Sequence, residues 1–262
     1  MESAIFSKRI CFEVSHHKHN CSFYLETRTL CNKFESMGQT SLVTAIVLAA
    51  GQGTRYQAET PKQFSSFDDE TMLAVAMAPF LKLEELKTLI VVVSENHQDF
   101  IERLPITLRE DSRVVFTPGG ETRGESIKQG LRRYVELEGQ SAESLIVIHD
   151  SCRPHLSNSH LSQIVSASDS VDAWVTFSRT GDSYAVESKA GYSPLESTGN
   201  IIAMHTPIRI TPKICQKILE SPSFEMNSGL ATFLLNNGVN VKFVQSDGST
   251  RKLTFPEDGY VL

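Results

Sequence analysis

The sequence predicts an α/β domain built on a doubly wound, mainly parallel sheet with a protruding β-arm. Three observations carry that expectation. From Thr44 onward, short apolar runs rich in Val or Ile alternate with amphipathic stretches, the pattern of a parallel sheet whose crossover helices cover both faces. A chain of 262 residues, 40% of them hydrophobic, is long enough to bury a substantial core. Between Arg179 and Asn200 the alternation gives way to clustered Ser, Gly and Thr, which reads as an arm outside that core at about 178–204.

In chain order, Thr44 to Ala49, Thr88 to Val93, Arg113 to Phe116, Leu145 to Ile148 and Ala173 to Phe177 read as buried strands. Helices are expected between them at Thr71 to Phe80, Asn96 to Leu104, Gly124 to Leu137 and Ser159 to Ser168. In the third of these, Ile127, Leu131, Tyr134 and Val135 form an apolar stripe at i, i+4, i+7 and i+8. Helices at about Pro212 to Leu219 and Gly229 to Leu235, then strands at Val241 to Gln245 and Arg251 to Thr254, close the domain. Ligands on such sheets bind outside the carboxyl ends of the strands, which points to the loops after Ala49, Phe116 and Ile148.

The net charge of −6 lacks the basic footprint of a nucleic-acid or anionic-membrane binder, so small molecules or protein are the expected partners. No apolar run approaches the roughly 18 residues of a membrane span, and no secretory signal opens the chain. Cys11, Cys21, Cys31, Cys152 and Cys215 are an odd number in a long chain, which fits a reducing, cytoplasmic compartment. Three of them fall near His16, His17 and His19, yet no Cys-x-x-Cys pair occurs, so a zinc module is not expected. Residues 1–42 show no periodicity and carry five Lys/Arg against four Glu. They read as a disordered tail or an over-extended gene start, with the folded domain at 43–262.

The most informative block is AAGQGTRYQAETPKQF, Ala49 to Phe64. Gly51 and Gly53 let the backbone approach a bound anion and aim amide donors at it. A P-loop would need Gly-Lys-Ser/Thr, and a dinucleotide fingerprint would need a third glycine where Tyr56 stands. What is left is a loop bearing two cations, Arg55 and Lys62, suited to a triphosphate attacked at its α-phosphorus.

This block resembles the signature loop of the 2-C-methyl-D-erythritol 4-phosphate cytidylyltransferases, within the sugar-nucleotide transferase superfamily. GGETRGESIKQGL (119–131), VIHDSCRP (147–154), GDS (181–183), HTP (205–207) and KLTFPED (252–258) are similar to the family's further motifs, in order. The resemblance implies CTP and a sugar-alcohol phosphate as substrates, Mg²⁺ as cofactor and a homodimer whose arms reach the neighbouring site. It implies Arg55 and Lys62 as catalytic cations, and Ala49, Ala50, Gly51, Gly53, Gly120, Glu121, Ser126 and Asp150 at the nucleotide. Asp150 is also the candidate metal ligand, with Mg²⁺ held mainly by the triphosphate. Arg153, Ser183, Thr198 and Lys252 fall at the acceptor, Arg153 alternatively at a subunit interface. His149 is read as structural, because the attacking phosphate is already an anion.

Departures from the family pattern fall mostly on the acceptor side. A family arginine eight residues before the Thr-Pro threonine aligns with Thr198, and Arg179 or Arg209 stands near enough in sequence to replace it. A family acidic residue aligns with Gly229, Ser151 and Cys152 replace two alanines, and the chain ends at Leu262 short of a last helix that many relatives carry. A ribitol 5-phosphate cytidylyltransferase would share the loop. From a different class, a nucleotide-binding protein without turnover fits Thr198 and Gly229, although the retained cations argue for catalysis.

Overall fold

The computed structural model describes residues 41–51, 60–67, 69–139, 142–167, 170–189, 191–195, 201–224 and 229–254. The strands, in chain order, are β1 (Val43–Ala49), β2 (Ser66–Phe67), β3 (Glu70–Thr71), β4 (Leu86–Val93), β5 (Val114–Pro118), β6 (Leu145–Asp150), β7 (Ala173–Arg179), β8 (Ala185–Ser188), β9 (Gly191–Pro194), β10 (Ile202–Ile210) and β11 (Val241–Gln245). The helices are α1 (Met72–Leu81), α2 (Gln98–Ile101), α3 (Ile106–Arg109), α4 (Arg123–Glu138), α5 (Asn158–Val165), α6 (Pro212–Glu220) and α7 (Leu230–Asn236).

The described residues build a seven-stranded sheet in the order β11-β7-β10-β6-β1-β4-β5. Every pairing in it is parallel except those of β10, which runs antiparallel to both β6 and β7. Strand β1 shows why the sheet needs helices on both faces. Successive side chains alternate in direction, so Val43, Ala45, Val47 and Ala49 pack with Leu73, Met77 and Phe80 of α1. Ile46 and Leu48 point the other way, to Ile127, Leu131 and Tyr134 of α4 and Ile214 and Ile218 of α6. Helix α4 lies close to the sheet because Gly130 faces it: a Cβ there would stand 2.6 Å from Ile46 Cγ2.

The expected elements form with three corrections. The single helix expected at Asn96 to Leu104 is a 3-10 turn at Glu95–His97 followed by α2, then a separate α3. Pro105 accounts for the break, since it disfavours helical geometry at the preceding residue. Residues 202–210, not expected as a strand, form β10 with a register shift between His205 and Ile208. Arg251 to Thr254, expected as a strand, is irregular; it crosses the strand ends with Leu253 N–H bonded to Cys152 O at 2.9 Å. Leu253 packs there with Phe67 and Met72, so its burial lies off the sheet.

Within the expected arm, β8 and β9 form an antiparallel hairpin with exposed strands. Gly191 closes it at φ 110°, a conformation that favours glycine. Tyr184, Val186, Tyr192 and Leu195 are exposed on this arm.

Candidate active site

A cavity of about 650 Å³ opens at the carboxyl ends of the parallel strands. Its walls come from the segments that follow β1, β4, β5 and β6, together with Lys252 and Thr254. The chain leaves β1 toward β4 on one side, while β6 flanks it on the other. Such a switch point is where open α/β sheets hold ligands.

Ala49, Ala50 and Gly51 form one wall beside Lys62 and Gln63 of a 3-10 turn at Lys62–Phe64. Lys62 is held close to burial, at 9% exposure. Gly120, Glu121 and Ser126 line the opposite wall at the start of α4. That start is fixed by a capping box: the Thr122 hydroxyl accepts from the Glu125 N–H, and the Glu125 carboxylate accepts from the Thr122 N–H, both at 3.1 Å. The box explains Gly120, because a Cβ there would lie 2.3 Å from Glu125 Cβ. Ser126 Oγ accepts from the Gly120 N–H at 3.2 Å. The N-terminus of a 16-residue helix therefore faces the cavity with its positive dipole end.

Asp150 closes the cavity floor. Arg123 donates to its Oδ1 from Nε at 3.1 Å and from Nη2 at 2.8 Å, and Arg153 Nε stands 3.6 Å from Oδ2. Its backbone N–H donates to Thr206 Oγ1 at 3.0 Å. Burial pushes the carboxyl toward protonation, but the Arg123 and Arg153 charges outweigh it and hold Asp150 well below the usual carboxylate range. Asp150 is thus an anion placed among cations.

Behind it, His149 is fully buried. Its Nε2 lies 3.1 Å from Arg153 O, and burial lowers its pKa to about 4. A neutral ring bonded to a backbone carbonyl orients the strand end, and His149 is not among the residues that line the cavity.

The structure does not bring every sequence candidate together. Arg153 stands behind Asp150 and donates to Thr250 O at 2.6 Å, and it forms no part of the cavity wall. Ser183 is exposed on the arm, also away from the wall. Gly53, Arg55 and Thr198 lie outside the described residues, as do Cys11, Cys21, Cys31 and the histidines near them.

Sequence reasoning passed over Gln63, although it lies in the signature block. Its Nε2 donates to Ala49 O at 2.7 Å and to Gly51 O at 3.1 Å. Arg123 lies inside the 119–131 motif without a role assigned to it there, and Ser94 to Asn96 carry no motif that would mark them as wall.

Among the described residues no group of three or more His, Cys, Asp or Glu could hold a metal. Mg²⁺ typically takes one or two carboxylates and completes its shell with substrate phosphates and water. Asp150, held ionised beside anion-binding groups on the cavity wall, fits that mode, and the absence of such a group among the described residues does not fit an all-protein cage.

The family model for 2-C-methyl-D-erythritol 4-phosphate cytidylyltransferase matches residues 43–259. The chain belongs to this family. It is 27% identical over 216 residues to the cytidylyltransferase of that name from Geobacillus kaustophilus, covering 82% of this chain and 92% of that one. A relative of the same name from Leptospira borgpetersenii is 29% identical over 219 residues, covering 82% and 90%. The fold is shared with the crystal structure of 4-diphosphocytidyl-2C-methyl-D-erythritol synthase from Anaerococcus prevotii, with a TM-score of 0.68 at 19% identity over 84% of this chain and 94% of that one.

Against the family pattern, Arg209 is not the replacement cation. It is 1% exposed, donates from Nη1 to Val165 O at 3.0 Å and Ala167 O at 2.7 Å, and so is built into the core. Arg179 is exposed at the end of β7, with its guanidinium over the Phe177 ring. Gly229 is the N-cap of α7 in an extended conformation.

Proposed function

We infer that the protein joins CTP to 2-C-methyl-D-erythritol 4-phosphate, giving 4-diphosphocytidyl-2-C-methyl-D-erythritol and pyrophosphate, a step of the non-mevalonate isoprenoid route. The observation that carries the reading is the cavity at the switch point. It gathers Lys62, Lys252, a helix N-terminus and the Gly119–Gly120 backbone around Asp150, a carboxylate that the neighbouring arginines keep ionised. An acceptor phosphate oxygen attacks the α-phosphorus, the new P–O bond forms, and the bond to pyrophosphate breaks. No protein base is required, since the nucleophile is anionic.

Lys62, with Arg55 on the same loop, stabilises the charge that builds on the α-phosphoryl oxygens. Gly120, Glu121 and Ser126 receive the nucleotide. Lys252, with Arg153 and the arm residues Ser183 and Thr198, serves the acceptor, Arg153 acting through its hold on Asp150. Asp150 is the residue that would help hold a triphosphate-bound Mg²⁺, which when bound would supply further neutralisation of phosphate charge.

The exposed apolar residues of the arm support a homodimer in which each arm meets the partner. We read residues 1–42 as dispensable to the domain. No described helix is long and apolar enough to cross a membrane, and we assign the protein to the cytoplasm.

The test is a pyrophosphate-release assay crossing CTP, ATP, GTP and UTP with methylerythritol phosphate, ribitol phosphate and no acceptor, with and without EDTA. Release is expected only with CTP and methylerythritol phosphate, and chelation is expected to stop it. Faster release with ribitol phosphate would move the acceptor assignment, and CTP binding without release would leave a binding protein.

A further inference from the structure

We propose that His97 is a positioning residue for the nucleotide loop: through Gln63 it holds the backbone at Ala49–Gly51 in the orientation that presents amide donors to the triphosphate. The proposal rests on reading the cavity as the CTP site.

Gln63 links the walls after β1 and β4. Its side-chain nitrogen faces two carbonyl oxygens, Ala49 O at 2.7 Å and Gly51 O at 3.1 Å, and only an NH₂ group can serve two acceptors. That fixes which end of the amide is nitrogen. The same nitrogen stands 3.3 Å from His97 Nδ1, so Nδ1 must accept and the ring proton must sit on Nε2. Two hydrogens face three acceptors, so one is shared, and the longer contacts are those to Gly51 O and the imidazole. Burial lowers the pKa of His97, which favours the neutral, accepting ring.

The ring itself cannot swing away. His97 is 8% exposed, edge-on to Phe64 at 5.5 Å and to Phe100 at 6.0 Å. Its backbone N–H is tied to Ser94 O at 2.9 Å. Ser94, Glu95 and Asn96 line the cavity, so the contact couples the wall after β4 to the wall after β1.

The consequence for the loop follows from peptide planarity. In a trans peptide the N–H points opposite the preceding carbonyl, so holding Ala49 O on Gln63 turns the Ala50 N–H the other way. Among the described residues neither the Ala50 nor the Gly51 N–H has a hydrogen-bond partner. An unpaired amide held in a fixed orientation offers a donor to an anion, and the Ala50 N–H is such an amide. Nothing in the sequence marked His97, because its contact is made across two loops.

The test measures the calorimetric Kd for CTP and the steady-state constants of wild type, His97→Leu and His97→Asn, with melting temperatures as a folding control. Leu keeps the apolar packing and removes the acceptor, whereas Asn returns an oxygen near the position of Nδ1. His97→Leu is expected to raise the Kd and KM for CTP about three- to tenfold, the size of one hydrogen bond, with the acceptor KM unchanged. His97→Asn is expected to recover most of the loss. In a Gln63→Leu background, His97→Leu should add nothing further. Wild-type CTP affinity in His97→Leu would overturn the inference, and so would an undiminished effect in the Gln63→Leu background. A wild-type protein that binds no CTP would instead sink the reading of the cavity itself.

Discussion

Strands β1 and β10 flank β6 on its two sides and meet the demand for burial with different residues. All seven residues of β1 are buried, and Thr44 is its one polar member. The buried half of β10 contains Thr206 and Arg209, each 1% exposed, and each has assigned bonds. Thr206 Oγ1 accepts from the Asp150 N–H, while Thr176 donates to Pro207 O at 2.7 Å and His160 Nε2 lies 3.1 Å from the same Thr176 hydroxyl. An apolar strand is placed by its pattern and tolerates small changes. A strand with buried polar groups is placed by particular partners, since each unmet group would cost stability. Here those partners include the backbone of the cavity's carboxylate, so β10 shapes the site from one strand away.

This contrast predicts unequal responses to mutation. The largest is expected for Arg209→Ala, which removes a large buried side chain and strands the Val165 and Ala167 carbonyls. It should cost about 3 kcal/mol or more in denaturant unfolding, and a loss below 1 kcal/mol would show that β10 is held some other way.

Next comes the pH response of β6, the strand between them. His149 is buried neutral with a pKa of about 4, against about 6.5 for an unfolded histidine. Between those values the unfolded chain binds a proton that the folded chain excludes. The stability is complete above about pH 6.5 and falls as pH drops toward 4. The fall between pH 7 and 5 should be about 2 kcal/mol from this residue, and His149→Phe should flatten it. His205, also pulled to about 4 by burial and then by Arg153, adds in the same direction. A flat profile in the wild type would contradict the assignment.

Thr206→Val should cost about 1–2 kcal/mol by leaving the Asp150 N–H unpaired, and should lower turnover as the carboxylate shifts. Ile46→Val, in β1, is expected to cost about 1 kcal/mol and to leave turnover unchanged. Equal effects of these two on activity would erase the distinction between the strands.

The same contrast explains what was legible in the sequence. Strands β1, β4, β5, β6 and β7 announce themselves through continuous apolar runs, and α4 through its stripe at Ile127, Leu131 and Tyr134. Strand β10 was missed because His205, Thr206, Pro207 and Arg209 break that pattern, and only tertiary partners make them buriable. At the cavity, Gly120, Ser126, Asp150 and Lys252 were found through motifs that keep their local order. Arg123 as the partner of Asp150 lies 27 residues away in sequence. His97 as the partner of Gln63 lies 34 residues away. Pairings across that distance leave no periodic trace. Arg209 was misjudged for the same reason, since a cation in sequence gives no sign of which carbonyls it serves.

In the proposed function, the cavity between the ends of β1 and β6 transfers the cytidylyl group. The most direct measurement is the turnover and CTP affinity of Lys62→Ala beside the wild type. The expected kcat is lower by about 10²-fold or more, because a charge aimed at the α-phosphate acts mainly in the transition state, with the Kd for CTP within a few-fold. Wild-type turnover in folded Lys62→Ala would contradict it.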